Sequence, residues 1–435
     1  MANKPKPKTL LFFPVEIGLA HVCRSLAIAE ELHARGHRVL FAIAKRKQKV
    51  FAQSPVEFID VEEYVSDDDF GMNVKLFRDT AYIERTVGSE LKIIDTYHPD
   101  AAIVDFRVSA FAATTLRNIK TYAIFVGDGL PYGALLPNPG MPALLYRMFK
   151  RMFPVLYDLA TRWYLEPFLH YMRRKGRSIS FDQWMQGIEY FVPEPADYMP
   201  AVSKAIQVHH VGSLSWYKFN NTVPPWLESI HPDGKTIYLS FGGTGFDKKK
   251  PIELSTALLD AGYRVIVSTG RISNPADYPT HPHLFVEQFL PGDKISSKVD
   301  LVLCHGGYGT MMDAIQHHVP VLAIPFNPDQ ILHAARMQEL GVARSMFKLS
   351  FHDLYAVFTF KWARIEDKGK RVKTQDVLTA VKEMFANRAK YKQALHDFNT
   401  TFQTESGAHR AADIIERNLI RDGSTNITSS DSEAS

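Results

Sequence analysis

Residues 299–330 read VDLVLCHGGYGTMMDAIQHHVPVLAIPFNPDQ. An apolar run at 300–304 ends in the turn His305-Gly306-Gly307. A helical pattern spans 310–317, and a second apolar run at 319–326 leads to Asp329-Gln330. Short apolar runs joined by a glycine turn and a helix predict a βαβ unit whose strands are covered on both faces. The glycines let the backbone approach a ligand closely. The helix start presents unpaired N–H groups at the positive end of its dipole, so the turn is expected to bind phosphate. His305, able to carry positive charge, stands at the mouth, and Asp313 sits inside the helix. Phosphate at the turn with a hydroxyl-rich group beside it describes a nucleotide sugar.

The same alternation recurs on both sides of this unit. Downstream of residue 235, a strand at 236–240 runs into Phe241-Gly242-Gly243-Thr244-Gly245. It is followed by a helix at 251–261, strands at 264–269 and 284–287, and, past the βαβ unit, a helix at 329–340 stopped by Gly341. The first half reads as strand 9–15, helix 21–35 stopped by Gly36, strand 37–44, helix 76–97, strand 101–106, helix 108–118 and strand 121–126. Each half is therefore expected to be a doubly wound parallel α/β domain. Pro224-Pro225 and Pro232 mark the stretch between them as a linker. The expected division is a domain at 1–213, a linker at 214–234 and a second domain at 235–405. A closing helix at 406–421 is expected to pack back on the first domain, and the polar tail 422–435 to be disordered.

Composition narrows the function classes. The 435 residues suit two or three domains, 46% are hydrophobic and 23% charged, and the net charge of +4 is too small to imply nucleic acid. Two cysteines, Cys23 and Cys304, fit a reducing compartment and no disulfide framework. No apolar run reaches the ~18 residues of a membrane-spanning helix. The basic start is read as a disordered leader rather than a signal peptide, so a cytoplasmic protein is expected. Two segments stand apart. Residues 141–180 are rich in aromatics and methionine and carry eight Lys/Arg against two acids. They are read as a helical lid, with a face suited to an anionic membrane surface or to an apolar acceptor pocket. Residues 346–371 alternate aromatic and basic side chains and are read as an insertion that docks on a membrane or on the lid, or as a helical hairpin. A dinucleotide site fails on spacing, since G-x-G-x-x-G is absent, and no Gly-Lys-Ser/Thr of a P-loop follows the turn.

Two motifs carry a resemblance. The stretch C-H-G-G-x-G-T-x-x-D-A-I-x-x-x-V-P-V-L-x-I-P-x-x-x-D-Q and the N-terminal AHVCRSLAIAEELHARGHRV resemble the UDP-glycosyltransferase family, including bacterial macrolide and antibiotic glycosyltransferases. The similarity extends over 9–416. It implies the GT-B fold, two Rossmann-like domains facing across a cleft. It also implies His21 as catalytic base and Asp105 as its partner. His305 and the backbone from Gly307 through Tyr308 and Gly309 to Thr310 would hold the diphosphate. Asp313 falls on a glutamate that holds the ribose, and Asp329 and Gln330 on the pair that binds sugar hydroxyls. Gly242, Gly243 and Thr244 fall on the first phosphate-side loop. The chain departs from the family where W-x-P-Q becomes Phe289-Leu290-Pro291-Gly292, which leaves Phe289 to pack near the base and removes the glutamine. It departs again at Ala20, where the family has glycine.

The residue types suit the chemistry. An alcohol attacks well only as its proton is taken, and histidine does this near neutral pH when a carboxylate fixes its tautomer. His21 starts a helix just after a strand and Asp105 ends a strand, the edge where doubly wound sheets bind ligands. The plainer readings are a first-turn helix residue for His21 and helix caps for Asp105 and Asp329. The resemblance implies an inverting transfer of a hexose from a UDP-sugar, or a TDP-sugar, to a hydroxyl of a lipophilic acceptor. The nucleotide sugar is the co-substrate, and neither metal nor further cofactor takes part. Two alternatives stand beside it: the same reaction on a sterol or diacylglycerol at a membrane surface, and an inert nucleotide-sugar-binding accessory subunit.

Overall fold

The computed structural model describes residues 6–16, 19–64, 76–132, 137–200, 203–216, 223–231, 235–242, 248–270, 272–348, 350, 371–400 and 406–430, the last nine by backbone alone. The contacts divide the chain into two compact units. The first is Met1–Ala134, Pro154–Phe219 and Gln403–Ser435, and the second is Leu135–Phe153 with Asn220–Phe402.

In chain order the elements up to residue 210 are β1 (Thr9–Pro14), α1 (Ala20–Ala34), β2 (Arg38–Ala42), α2 (Lys45–Gln48), β3 (Glu57–Ile59), α3 (Thr80–Tyr97), β4 (Ala101–Asp105), α4 (Val108–Leu116), β5 (Lys120–Ile124), α5 (Ala143–Arg174), α6 (Phe181–Gln186), β6 (Ile188–Val192) and β7 (Gln207–His210). The described strands form a parallel sheet in the order β3-β2-β1-β4-β5-β6-β7. Strand residues alternate between its faces. Leu11 and Phe13 join a core with Ile83, Val87 and Phe111, whereas Leu10 and Phe12 join another with Val22 and Leu26 of α1. The helix expected at 76–97 starts later. Asp79 accepts hydrogen bonds from the backbone N–H groups of Ala81 and Tyr82, which fixes the start of α3 at Thr80 and leaves Leu76–Arg78 as a 3-10 turn.

The second unit holds β8 (Thr236–Ser240), α7 (Lys249–Asp260), β9 (Arg264–Ser268), β10 (Leu284–Glu287), α8 (Gly292–Ser296), β11 (Leu301–Cys304), α9 (Tyr308–Gln316), β12 (Val321–Ala323), α10 (Pro328–Glu339), β13 (Ala343–Ser345), α11 (Thr374–Ala386) and α12 (Arg388–Asn399). Its sheet is parallel in the order β10-β9-β8-β11-β12-β13. The first turns of α5 group with this unit rather than with residues 1–213, because Phe149 and Met141 are buried against Ile331 of α10 and Phe347. The Asn138 N–H also donates to Glu339 Oε1 at 2.7 Å. Of the expected linker, 217–222 and 232–234 lie outside the described residues, and Pro225–Ser229 is a 3-10 turn. Residues 349 and 351–370 of the 346–371 segment also lie outside them.

The last helix, α13 (Gly407–Ser430), belongs to the first unit and packs on α1. Ala411, Ala412 and Ile415 are buried there, while Arg35 pairs with Asp413 and Glu416 at 2.6 and 2.7 Å. The stretch 422–430, expected to be disordered, continues this helix, since extending a nucleated helix costs far less than starting one.

Candidate active-site residues

In both sheets strand order reverses beside the first strand: β1 neighbours β2 and β4, and β8 neighbours β9 and β11. Loops at the carboxyl ends of such strand pairs diverge to opposite faces and leave a crevice for ligands. The residues singled out in sequence cluster at these two points.

In the first unit, β1 and β4 are in register with Pro14 opposite Asp105, and the Val15 N–H donates to the Asp105 carbonyl at 2.7 Å. His21 lies in the first turn of α1, which Leu19 precedes without a side-chain cap. His21 Nδ1 is 2.7 Å from Asp105 Oδ1, with the imidazole 27% exposed and the carboxylate fully buried. The sequence reading missed a third member. Arg24, one helical turn along α1 and on the same face as His21, donates through Nε to Asp105 Oδ2 and through Nη2 to Oδ1 at 2.5 Å. Burial alone would raise the Asp105 pKa, but the guanidinium of Arg24 and then His21 outweigh it and hold the carboxyl below its usual range.

Arg24 Nη2 also lies 2.8 Å from His21 Nδ1. That nitrogen holds one hydrogen at most in the neutral ring. With the hydrogen present, Nδ1 donates to Asp105 and Nε2 keeps the lone pair that a base needs. Without it, Nδ1 accepts from Arg24, and Nε2 carries the hydrogen and cannot take another. The ionised, buried Asp105 favours the first tautomer. Phe106, also missed, sits next to this pair. Its backbone is left-handed at φ 52, its side chain is 40% exposed, and its ring centroid is 6.0 Å from that of His21 and 5.2 Å from that of Phe125. A non-glycine residue held there is strained, a condition that collects at functional sites.

In the second unit, β11 ends at Cys304, paired with Ser240 of β8. His305 follows, and α9 starts at Tyr308 with Gly307 as an N-cap that offers no side chain, so Tyr308, Gly309 and Thr310 form its first turn. The His305 ring packs between two glycines: a Cβ on Gly307 would fall 2.5 Å from its Nε2, and one on Gly242 would fall 2.9 Å from its Cε1. Gly243 and Thr244 lie outside the described residues. The sequence reading left His305 able to carry positive charge. Burial pushes its pKa down to about 4, against the opposing effect of the Ser240 carbonyl, so the ring is neutral at pH 7. Nδ1 lies 3.3 Å from that carbonyl, which can only accept, so Nδ1 carries the hydrogen and Nε2 the lone pair. Burial likewise pushes the thiols of Cys23 and Cys304 up to about 12.

Asp313, in α9, is 7% exposed, and a Cβ on Gly292 would meet its Oδ2 at 2.6 Å. Gly292 is the first residue of α8. The glycine at the departure from W-x-P-Q thus leaves space that the carboxylate fills, beside a helix N-terminus that suits it. Phe289 is half-buried just before α8. A cavity of about 400 Å³ lies alongside, lined by Lys248, Ser273, Asn274, Asp277 and Gln288. Asn327, not Asp329, caps α10, and Gln330 Oε1 accepts from the N–H groups of Phe326 and Asn327 at 3.2 Å each. Asp329 is the exposed member of the pair expected to face sugar hydroxyls. Among the described residues no three His, Cys, Asp or Glu side chains gather as a metal-ligand set.

The profile of the glycosyltransferase family 28 C-terminal domain matches residues 252–354. A PGL/p-HBAD biosynthesis glycosyltransferase of Mycobacterium tuberculosis is 25% identical over 406 residues, 88% of this chain and 86% of that one. A PGL/p-HBAD biosynthesis rhamnosyltransferase of Mycobacterium bovis is 24% identical, covering 89% and 82% of the two chains. The solved structure of the kitacinnamycin glycotransferase superposes with a TM-score of 0.66 at 19% identity, over 95% of this chain and 99% of the other. The family profile spans the phosphate turn and the start of α10, where the resemblance was read.

Proposed function

We propose that this chain, a glycosyltransferase of the GT-B type, moves a hexose from a UDP-sugar, or a TDP-sugar, to a hydroxyl of a lipophilic acceptor with inversion at the anomeric carbon. The observation that carries the reading is the His21–Asp105 pair with Arg24 behind it. Nε2 of His21 takes the hydroxyl proton while the acceptor oxygen bonds to the anomeric carbon. The bond from that carbon to the diphosphate breaks, and UDP leaves with the electron pair. One base and no enzyme nucleophile means a single displacement and therefore inversion. The N–H groups at Gly307–Thr310 and the α9 dipole stabilise the charge that grows on the diphosphate. We place acceptor binding on the first unit, where Phe106 offers an exposed apolar ring beside the base, and donor binding on the second. A lipid acceptor taken from a membrane surface is a second reading, favoured by the apolar face of α5 described below. A UDP-release screen of several nucleotide sugars against phenols, sterols and diacylglycerol tests the proposal, with the anomeric configuration of the product read by NMR. Binding of UDP by calorimetry without release from any pair would instead support the accessory-subunit reading.

The state of His305 adds a pH signature. Its Nε2 can donate to a phosphate oxygen only after taking up a proton, and burial of the ring resists that down to about pH 4. Where Nε2 donates to the phosphate, diphosphate binding takes up a proton and weakens as pH rises above about 4, by up to about tenfold per pH unit, until the bound ring itself loses the proton. UDP titrations between pH 7 and 8.5, above the phosphate's own ionisation, are expected to show this slope. Gly307→Ala, whose methyl displaces the ring, is expected to flatten it and to weaken binding by about tenfold, near the cost of one charge-assisted hydrogen bond. A flat wild-type profile would show that His305 is not protonated in the diphosphate complex over this range.

A further inference from the structure

The part of α5 that belongs to the first unit presents a row of apolar side chains to solvent. Val155, Leu159 and Trp163 follow one another at helical spacing and are 61%, 58% and 51% exposed. Single exposed apolar residues are ordinary, but a continuous row marks a surface that something covers.

The end of this row is cationic. The Arg78 guanidinium lies 4.3 Å over the Trp163 ring and donates to the Trp163 carbonyl. Arg78, His170 and Arg174, with Glu166 as the one acid among them, line a cavity of about 230 Å³ whose apolar wall is Ile83, Pro167 and Tyr171. Arg173, Lys175 and Arg177 continue beyond it and are exposed.

We propose that this face of α5 docks on an anionic lipid bilayer. Val155 and Leu159 enter the acyl boundary, Trp163 sits at the headgroup level, and Arg78 and the 173–177 cluster lie against lipid phosphates. The charge pattern selects this occupant. Eight basic residues stand against two acids over 141–180, and the apolar row adjoins the cations, the arrangement of an in-plane amphipathic helix. Such a surface needs no complementary shape in its partner, only an apolar layer under a negative one. Docking would bring the chain to where a lipophilic acceptor is dissolved, but it does not depend on the transfer reaction.

Sedimentation of the full chain with vesicles, without nucleotide sugar, tests it. Phosphatidylcholine vesicles containing phosphatidylglycerol are expected to bind the protein at least about tenfold more tightly than phosphatidylcholine alone, given the attraction of several Lys/Arg to an anionic surface. Arg173→Glu with Arg177→Glu should abolish that preference. Val155→Glu with Leu159→Glu should abolish binding to both, with an unchanged urea midpoint showing that the fold persists. Failure of the wild type to sediment, or variants that sediment as the wild type does, would overturn the proposal. So would a wild-type dimer in light scattering that Leu159→Glu splits, since the row would then be covered by a second copy.

Discussion

His21→Ala is expected to reduce turnover by about 10²–10⁴-fold, the usual contribution of a positioned general base, while calorimetry shows UDP binding unchanged. The base belongs to the first unit and the phosphate turn to the second, so removing the imidazole should not touch the donor. Asp105→Asn is expected to cost nearly as much, because an amide at 2.7 Å from Nδ1 no longer selects the tautomer with a free Nε2. Arg24→Met separates two roles. Arg24 is the foremost group holding Asp105 ionised against burial. Without it the Asp105 pKa rises, so the fall in rate on the acid side moves to higher pH. A variant at Arg24 that lowers the rate equally at every pH would mean that it serves packing alone. Wild-type turnover by His21→Ala in a folded protein would refute the mechanism.

Glu90→Ala is expected to destabilise the first unit by about 3–5 kcal/mol, the cost of leaving one member of a buried ion pair uncompensated. Arg107 Nε donates to Glu90 Oε1 at 2.5 Å, and both side chains are fully buried. Ser109 Oγ donates to the same oxygen at 2.5 Å, and Arg107 Nη2 to the Glu62 carbonyl at 2.6 Å. Burial raises the Glu90 pKa and Arg107 lowers it in part. Glu90→Leu combined with Arg107→Met should recover most of the loss, because apolar pairs replace buried ion pairs at little net cost. Urea denaturation with a probe in the first unit reads both. A Glu90→Ala variant as stable as the wild type would contradict this pairing. The consequence reaches the site: Arg107 immediately follows Asp105 and Phe106, so the pair anchors the segment that carries them.

The alternation of strand and helix was legible because central strands of a parallel sheet are covered on both faces and so read as unbroken apolar runs. Thr236–Ser240 and Leu284–Glu287 were placed to the residue. The short outer strands β3, β7 and β13 were not seen, since three or four residues with polar side chains such as Glu57, His210 and Arg344 carry no such run. β6 was missed beside them although it is fully buried, because Glu189 interrupts its pattern.

By itself the sequence determined two doubly wound domains, a glycine turn opening a helix, and a histidine and a carboxylate at strand ends. These follow from local periodicity and from backbone demands that only certain residues meet. Tertiary structure alone decided what touches each of them. At the turn of 299–330, burial made His305, whose charge the sequence left open, a neutral ring between Gly242 and Gly307, and the missing side chain of Gly292 made room for Asp313. In the first unit, Arg24 gained its meaning from meeting Asp105 across 81 positions. Spacing along the chain fixes which face a residue occupies, but not which group stands opposite or how much water remains between them. Those two quantities set charge state and tautomer, and with them the chemistry.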